Sequence, residues 1–243
     1  MTVKLYWKDA YLKEFDSVVE RVDGNRVVLK ETAFYPTGGG VLNDTGTLTV
    51  NGIGCRVADV SKEDDVIFHH VEGIPQIKAG DSVHGAIDWE RRYSLMRYHT
   101  AVHLMDGIVE KRYQNGGITG GTIFPDRARM DFAMENLNRE LAQKIVDETN
   151  SAASEGHKVS SKIISRDEAL SMPNLARTEP GRQLIMSMPE VRIVEIEGVD
   201  VQSDGGLHVA NTNEIGRLAL SKFENKGKHS KRIEITLGGS NEN

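Results

Sequence analysis

The sequence predicts an α+β protein. A small N-terminal β-barrel over residues 1–88 precedes an α+β domain over residues 89–243, whose helices pack on a mostly antiparallel sheet. Three observations carry this. The first third is made of short β-branched and aromatic runs separated by turn dipeptides. The segment that follows changes abruptly to a helical period, and the last ninety residues alternate strand signals with turns.

In the first part the runs are VKLYW, RVVLKETAFY, GTLTV and DVIFHHV, punctuated by DG, GGG, NG and AG. Closing so many short strands into a barrel leaves no bare edge. The change of character falls at IDWERRYSLMRYHTAVHLMDGIVEKRYQNGG. Asp88 is the N-cap, Glu90 suits the first turn, Lys111 and Arg112 suit the last, and Asn115-Gly116-Gly117 stops the helix. Leu95, Tyr98, Val102, Met105 and Val109 recur at spacings of three and four, which marks one buried stripe. A second helix runs from about Leu137 to Ser154, aligning Leu137, Leu141 and Ile145. KVSSKIIS, VRIVEIEG, GLHVA, RLALSKF and RIEITL are then the strands. There is no internal repeat.

With 243 residues, 38% apolar and 27% charged, the chain can bury a real core and is neither disordered nor fibrous. No apolar run reaches the ~20 residues of a membrane span. The opening MTVKLYWKDAYLKEF carries Lys and Asp where a signal peptide needs its apolar stretch, so cytoplasmic residence and no membrane partner are expected. The net charge of −6 argues against broad, non-specific nucleic-acid binding but leaves room for a local basic patch. A single cysteine, Cys55, excludes an intramolecular disulfide and any zinc site built from several thiolates.

A metal site must therefore use histidines and carboxylates. In HTAVH, His99 and His103 are one helical turn apart, which places their Cβ atoms ~5–6 Å from each other and lets two imidazoles converge on one ion. Hydrogen-bonded packing is the plain alternative for such a pair. A second element, VQSDGGLHVANTNEIG, sets Asp204 and His208 four apart across a Gly-Gly turn. Such a turn can complete a shell of three histidines and one aspartate. Alternatively, Asp204 stays outside the shell and a water takes the fourth position.

The pairing of HTAVH with DGGLHVANTNEIG resembles the editing domain of alanyl-tRNA synthetases and its free-standing relatives, the alanyl-tRNA editing proteins. That family carries an HxxxH helix and a later C-G-G-x-H-V-x-N-T-x-E-I-G segment. TAFYPTGGG (32–40), with Asp44 and Gly46 after it, resembles the family's glycine-rich segment. RARMDF (127–132) resembles its R-x-D-F strand, and ENKGKHSKRIEITL (224–237) its closing K-G-x-x-x-x-R-I strand. The matches run in family order from residue 32 to 237. Two positions depart from the pattern. Asp204 stands where the family most often has cysteine, and Val41 follows the glycines where Gln-Pro is usual.

The resemblance implies a medium-length, free-standing protein: a barrel plus a metal-binding editing domain, without aminoacylation machinery. It implies hydrolysis of the ester joining serine, or glycine, to the 3′ end of alanine tRNA, with His99, His103 and His208 as zinc (Zn2+) ligands and Asp204 beside them. Rejecting alanine while accepting serine needs a group that hydrogen-bonds the seryl hydroxyl, and Thr119 and Thr122 in GGITGGT are the candidates. Lys226, Lys228, His229, Lys231 and Arg232 form one candidate patch for tRNA, and Arg91, Arg92 and Arg97 a second. Gly38, Gly39 and Gly40 allow close approach of the backbone to RNA or to the neighbouring domain. No Lys-Ser or Lys-Thr follows them, so a nucleotide-binding loop, and with it a nucleotide cofactor, is excluded. Two rival readings stand beside this one. The first is a non-catalytic, zinc-stabilised module that binds the tRNA acceptor end. The second is an unrelated zinc hydrolase, which Thr100 disfavours by standing where an HExxH glutamate would be.

Overall fold

A computed structural model describes residues 1–73, 76–113, 117–172, 175, 179–227 and 230–238. The chain forms two compact units, Met1–Leu95 and Met96–Asn243. The division falls within a helix, a few residues beyond the change of character at residue 89.

In the first unit, β1 (Val3–Lys4) pairs in parallel with β4 (Glu31–Thr32). The remaining strands are β2 (Glu14–Asp23), β3 (Arg26–Leu29), β5 (Gly46–Val50), β6 (Ile53–Glu63), β7 (Val66–Val71) and β8 (Ser82–Ile87). They close in the order β2-β3-β7-β6-β5-β8, so no edge remains in the ring. VKLYW is a strand only over its first residues, because Leu5–Trp7 turn into a 3-10 helix. β2, β6 and β8 add to the strands that composition marks. In β2 buried positions recur every second residue (Phe15, Ser17 and Val19), the period of a half-buried strand.

The glycine-rich segment is a tight hairpin. Gly38 and Val41 exchange both backbone hydrogen bonds at 3.0 Å, and Gly39 and Gly40 have φ of 59° and 83°. Positive φ at both central residues is the type I′ geometry that excludes most side chains. A Cβ on Gly39 would meet nothing within 4 Å. The positive φ alone accounts for glycine there. Behind the hairpin lies Asp44, buried and paired with Arg92. The Arg92 Nε–Asp44 Oδ1 distance is 2.9 Å, a second hydrogen bond joins Nη2 to Oδ2, and the rest of the guanidinium donates to the carbonyls of Ala10 and Ala33.

Helix α1 (Trp89–Tyr113) starts as expected. Asp88 Oδ1 accepts from Arg91 N, and Glu90 sits in the first turn. Trp89 and Tyr93 stack one turn apart, with Lys13 above the Trp89 ring. These early side chains bind residues of the barrel unit, which is why the first turns of α1 belong to it. Asn115 and Gly116 of the expected stop lie outside the described residues.

In the second unit, β9 (Ile118–Ile123), β10 (Ala128–Phe132), β14 (Leu218–Asn225) and β15 (Lys231–Leu237) form an antiparallel sheet in the order β14-β15-β10-β9. Two of the motifs lie directly opposite each other in it: Asp131 of RARMDF pairs in register with Arg232 of KRIEITL, joined by two hydrogen bonds of 2.7 Å. Helix α2 (Arg139–Ser154) is capped by the Asn138 side chain and buries Ala142, Ile145 and Val146. β11 (Val159–Ser165), β12 (Glu190–Ile196) and β13 (Asp200–Ser203) make a second antiparallel sheet. Between β11 and β12, α3 (Arg166–Ser171) is capped by Ser165, and α4 (Glu179–Ser187) follows. Ala169 and Ile185 pack with Ile164, Val191 and Ile193 on one face of that sheet, with Val201 beside them.

GLHVA is not a strand. Its backbone groups bond to other partners: Val209 N donates to Thr100 Oγ1, Leu207 O accepts from His99, and Ala210 O accepts from Val159 N. The NTNEIG motif that follows is a latch. Asn211 and Glu214 form a capping box, and Thr212 Oγ1 bonds both Ala153 O and His157 N at the end of α2. Among the described residues no helix is long and apolar enough to cross a membrane.

Candidate metal centre

His99 and His103 leave one face of α1 toward the loop after β13, which carries Asp204 and His208. One donor atom from each of the four lies within 4.8 Å of the others. The imidazoles crowd together: His99 stacks on His208 at 4.2 Å, and His103 meets both edge-on at 4.8 and 4.7 Å. All three histidines are buried.

Two of the rings are held by hydrogen bonds at Nδ1, and the third faces a carboxylate at ion-pair distance. His99 Nδ1 donates to Leu207 O at 3.3 Å, and His103 Nδ1 faces Asp200 Oδ2 at 3.7 Å. His208 Nδ1 lies 3.2 Å from Thr100 Oγ1, whose own proton goes to Met96 O one helical turn back. Thr100 therefore accepts from His208, and the His208 Nε2 lone pair points at Asp204 Oδ2, 3.0 Å away. A lone pair aimed at a carboxylate oxygen calls for positive charge between them, a proton or a metal ion. Donors of three nitrogens and one oxygen, with the outward nitrogens of His99 and His208 tied to a carbonyl and a hydroxyl and that of His103 facing a carboxylate, fit a divalent transition metal. Hence Thr100 stands where an HExxH glutamate would be because it orients a ligand.

Burial drives His99 well below the ordinary histidine range, reinforced by His208 and opposed by Asp204. Burial likewise takes His208 down to about 4 against the pull of Asp204. Burial alone would raise Asp204, but His99, His208 and His103 hold it well below the ordinary carboxylate range. At neutral pH two neutral imidazoles thus face one carboxylate anion, the protonation state that binds a cation. His103 differs: burial lowers it, but Asp200, Asp204 and Asp106 outweigh that and leave it raised. Its Nδ1 is buried and has no hydrogen-bond partner among the described residues, with Asp200 beyond hydrogen-bond reach.

The loop is shaped by its neighbours. Arg192 Nη1 donates to the carbonyls of Asp204 and Gly206 at 2.9 Å, and Gly206 N donates to Asp204 Oδ2 at 2.8 Å. A Cβ on Gly206 would lie 2.3 Å from His99 Cε1. Thr100, Arg192, Asp200, Gln202 and Asp106 escape a reading of motifs. A signal was present in D-V-Q-S-D, where Asp200, Gln202 and Asp204 alternate at the period of one strand face.

The other candidates are dispersed. Thr119 is exposed in the bulge of β9 and donates to Asp131 O at 3.2 Å; Thr122 faces the same side as Arg129, away from buried Ala128 and Met130. Arg92 is buried in its pair with Asp44, so the expectation that it contacts tRNA is corrected: its donors are consumed inside the barrel unit. Lys231 is corrected likewise, buried with Nζ on Asn225 Oδ1 and Gly227 O at 2.6 Å. Arg232 is held by Asp131, Arg97 by Ile215 O, and half-buried Arg91 donates to Asn43 O. Lys226 is exposed. Lys228 and His229 lie outside the described residues.

Residues 6–91 match the family model of class II (A) tRNA synthetases, and residues 191–234 match that of the threonyl and alanyl tRNA synthetase second additional domain. Over 240 residues the chain is 42% identical to the alanyl-tRNA editing protein AlaX-M of Saccharolobus solfataricus, covering 98% of this chain and 99% of that one. It is 39% identical to AlaX-M of Methanosarcina acetivorans over 246 residues, covering 98% and 99%. It is also 35% identical over 239 residues to the alanine–tRNA ligase of Metallosphaera sedula, covering 98% of this chain but 26% of the ligase.

Proposed function

The chain belongs to the alanyl-tRNA editing proteins, and from that membership we propose that it is a zinc-dependent deacylase that removes serine, or glycine, from mischarged alanine tRNA in trans. The observation that carries the metal part is the convergence of His99, His103, Asp204 and His208 within 4.8 Å.

An aminoacyl ester is already activated, so the site's work is positioning, charge stabilisation and discrimination. Zinc, if bound, would be held by these four side chains and would supply Lewis-acid chemistry there. His99 and His208 present unprotonated Nε2 atoms, and Asp204 contributes the negative charge that keeps a dication in a buried place. Thr100 and the Leu207 carbonyl hold the His208 and His99 rings by hydrogen bonds, and Asp200 faces His103 at ion-pair distance, so little reorganisation is needed on binding.

For the seryl hydroxyl, Thr119 is the stronger candidate. Its neighbour Ile118 donates its N–H to Asp106 Oδ1 at 3.1 Å, and Asp106 belongs to the polar network behind His103. The Thr119 oxygen already donates to Asp131 O and keeps lone pairs to accept from a substrate hydroxyl. Such a partner discriminates well because alanine leaves it unpaired. Among the basic residues, exposed Lys226 and half-buried Arg91 are the proposed tRNA contacts.

The test is deacylation of seryl-tRNA(Ala) by His103→Ala and His208→Ala, with far-ultraviolet circular dichroism as a control. The reading expects hydrolysis lost in both with the fold retained, and Thr119→Val lowering the serine-over-alanine ratio. Full turnover in both histidine variants overturns it. Unfolding on metal removal, with tRNA binding but no hydrolysis by the intact protein, is the outcome of a non-catalytic zinc-stabilised module.

A further inference from the structure

Beside His103 of the metal centre lie two more buried carboxylates, Asp106 on α1 and Asp200 at the start of β13. Buried carboxylates side by side are costly unless a donor lies between them. Here one does. Gln202 Nε2 donates to Asp200 Oδ2 at 2.8 Å and to Asp106 Oδ2 at 2.9 Å, one amide hydrogen to each. An amide oxygen in that place would face two carboxylates, so the donor assignment follows from the network.

Each carboxylate has a second task. Asp200 Oδ2 faces His103 Nδ1 at 3.7 Å, where that nitrogen has no hydrogen-bond partner among the described residues. Asp106 Oδ1 accepts from Ile118 N at the start of β9. Helix and strand are pressed together at this point: a Cβ on Gly107 would lie 2.9 Å from Asp200 Cβ. Asp200 and Gln202 share one face of β13, while Val201 turns to the opposite side, into the α3–α4 cluster.

We propose that Gln202 is a positioning residue: its single amide nitrogen ties the ligand His103, through Asp200, to the start of β9, through Asp106, so one clamp sets both metal affinity and side-chain discrimination. The affinity half stands on the geometry of the four-residue centre, and the discrimination half rests on the deacylase reading.

The test measures zinc affinity by chelator competition for the wild type, Gln202→Met, Asp200→Asn and the double variant, with urea unfolding of the metal-free forms alongside. Each single change is expected to weaken zinc binding about 10–100-fold, the usual effect of removing a partner behind a ligand. The double variant is expected to lose little more than the weaker-binding single variant, since both act through one contact. In the cobalt-loaded proteins, the visible ligand-field bands should move in both single variants, which a loss of stability alone would not cause. Gln202→Asn keeps the amide but cannot span both carboxylates, and serves if Gln202→Met does not fold. The serine-over-alanine ratio of Gln202→Met at saturating zinc is expected to fall. Unchanged zinc affinity in Gln202→Met and Gln202→Asn, or fully additive losses, overturns the inference. If the wild type hydrolyses no mischarged alanine tRNA, the deacylase reading and the discrimination half fall together, while the affinity cycle still decides the clamp.

Discussion

Gly206 and His99 fit so closely that no side chain can stand between them: a Cβ at 206 would sit 2.3 Å from His99 Cε1 and 2.7 Å from its Nδ1. The same Gly206 donates its N–H to Asp204 Oδ2, so one residue fixes the spacing of two ligands. Gly206→Ala is therefore expected to displace the His99 ring and weaken zinc binding at least ~10-fold, as loss of ligand orientation does. The barrel unit should keep its unfolding behaviour. Isothermal titration of the metal-free protein with zinc checks this, and equal affinity for both proteins would count against it.

Asp204 makes a second prediction, through charge. The carboxylate faces two imidazoles and receives the Gly206 N–H, and replacing it by asparagine keeps the shape while removing the anion. Asp204→Asn should bind zinc more weakly than wild type. Asp204→Cys, which offers a softer thiolate, should bind zinc and cadmium more tightly. The order Cys, Asp, Asn in a competition assay is the expected outcome.

His99, His103, Asp204 and His208 are readable in the sequence because the helix puts i and i+4 together and the turn puts Asp204 and His208 together. The start of α1 and the extent of α2 are readable as well, since caps and helical periodicity mark them locally. Other features depend on groups distant in the chain. LHVA has the composition of a strand, yet Thr100 and His99 take the hydrogen bonds a neighbouring strand would supply. Arg92 has the composition of a surface cation, yet its partner is Asp44, far back in sequence. Gln202 is an ordinary strand residue until Asp106 and Asp200 are placed on either side of it. Periodicity reports which face a residue occupies, not what waits there.

The pair Arg92–Asp44 gives a stability prediction. Both side chains are about 1% exposed, and the guanidinium donates to the carboxylate twice and to two backbone carbonyls. Removing one partner of such a pair leaves a buried charge unmatched and costs about 3–5 kcal/mol. Asp44→Ala should show that loss in urea unfolding at pH 7. In contrast, Lys226→Ala should leave stability near wild type and reduce the salt dependence of tRNA binding by about one phosphate contact.

His69 predicts a pH dependence. It is fully buried in the barrel, with Nδ1 donating to Val27 O at 2.9 Å and Nε2 2.8 Å from Thr32 Oγ1. Burial brings it from 6.5 to about 4, against the Val27 hydrogen bond. Below pH 6.5 the unfolded chain binds a proton that the folded chain refuses, so stability falls as pH drops toward about 4 and levels off below that. The shift corresponds to about 3 kcal/mol. Urea unfolding of His69→Gln should lose roughly that much less than wild type between pH 7 and pH 4; parallel curves would contradict the assignment.

The central claim, that the four-residue centre is a metal site used in deacylation, is tested most directly by removing and restoring zinc while hydrolysis of seryl-tRNA(Ala) is followed. Chelation should abolish turnover with the fold retained, and one equivalent of zinc should restore it. Undiminished turnover by protein shown by elemental analysis to contain no metal would contradict the account.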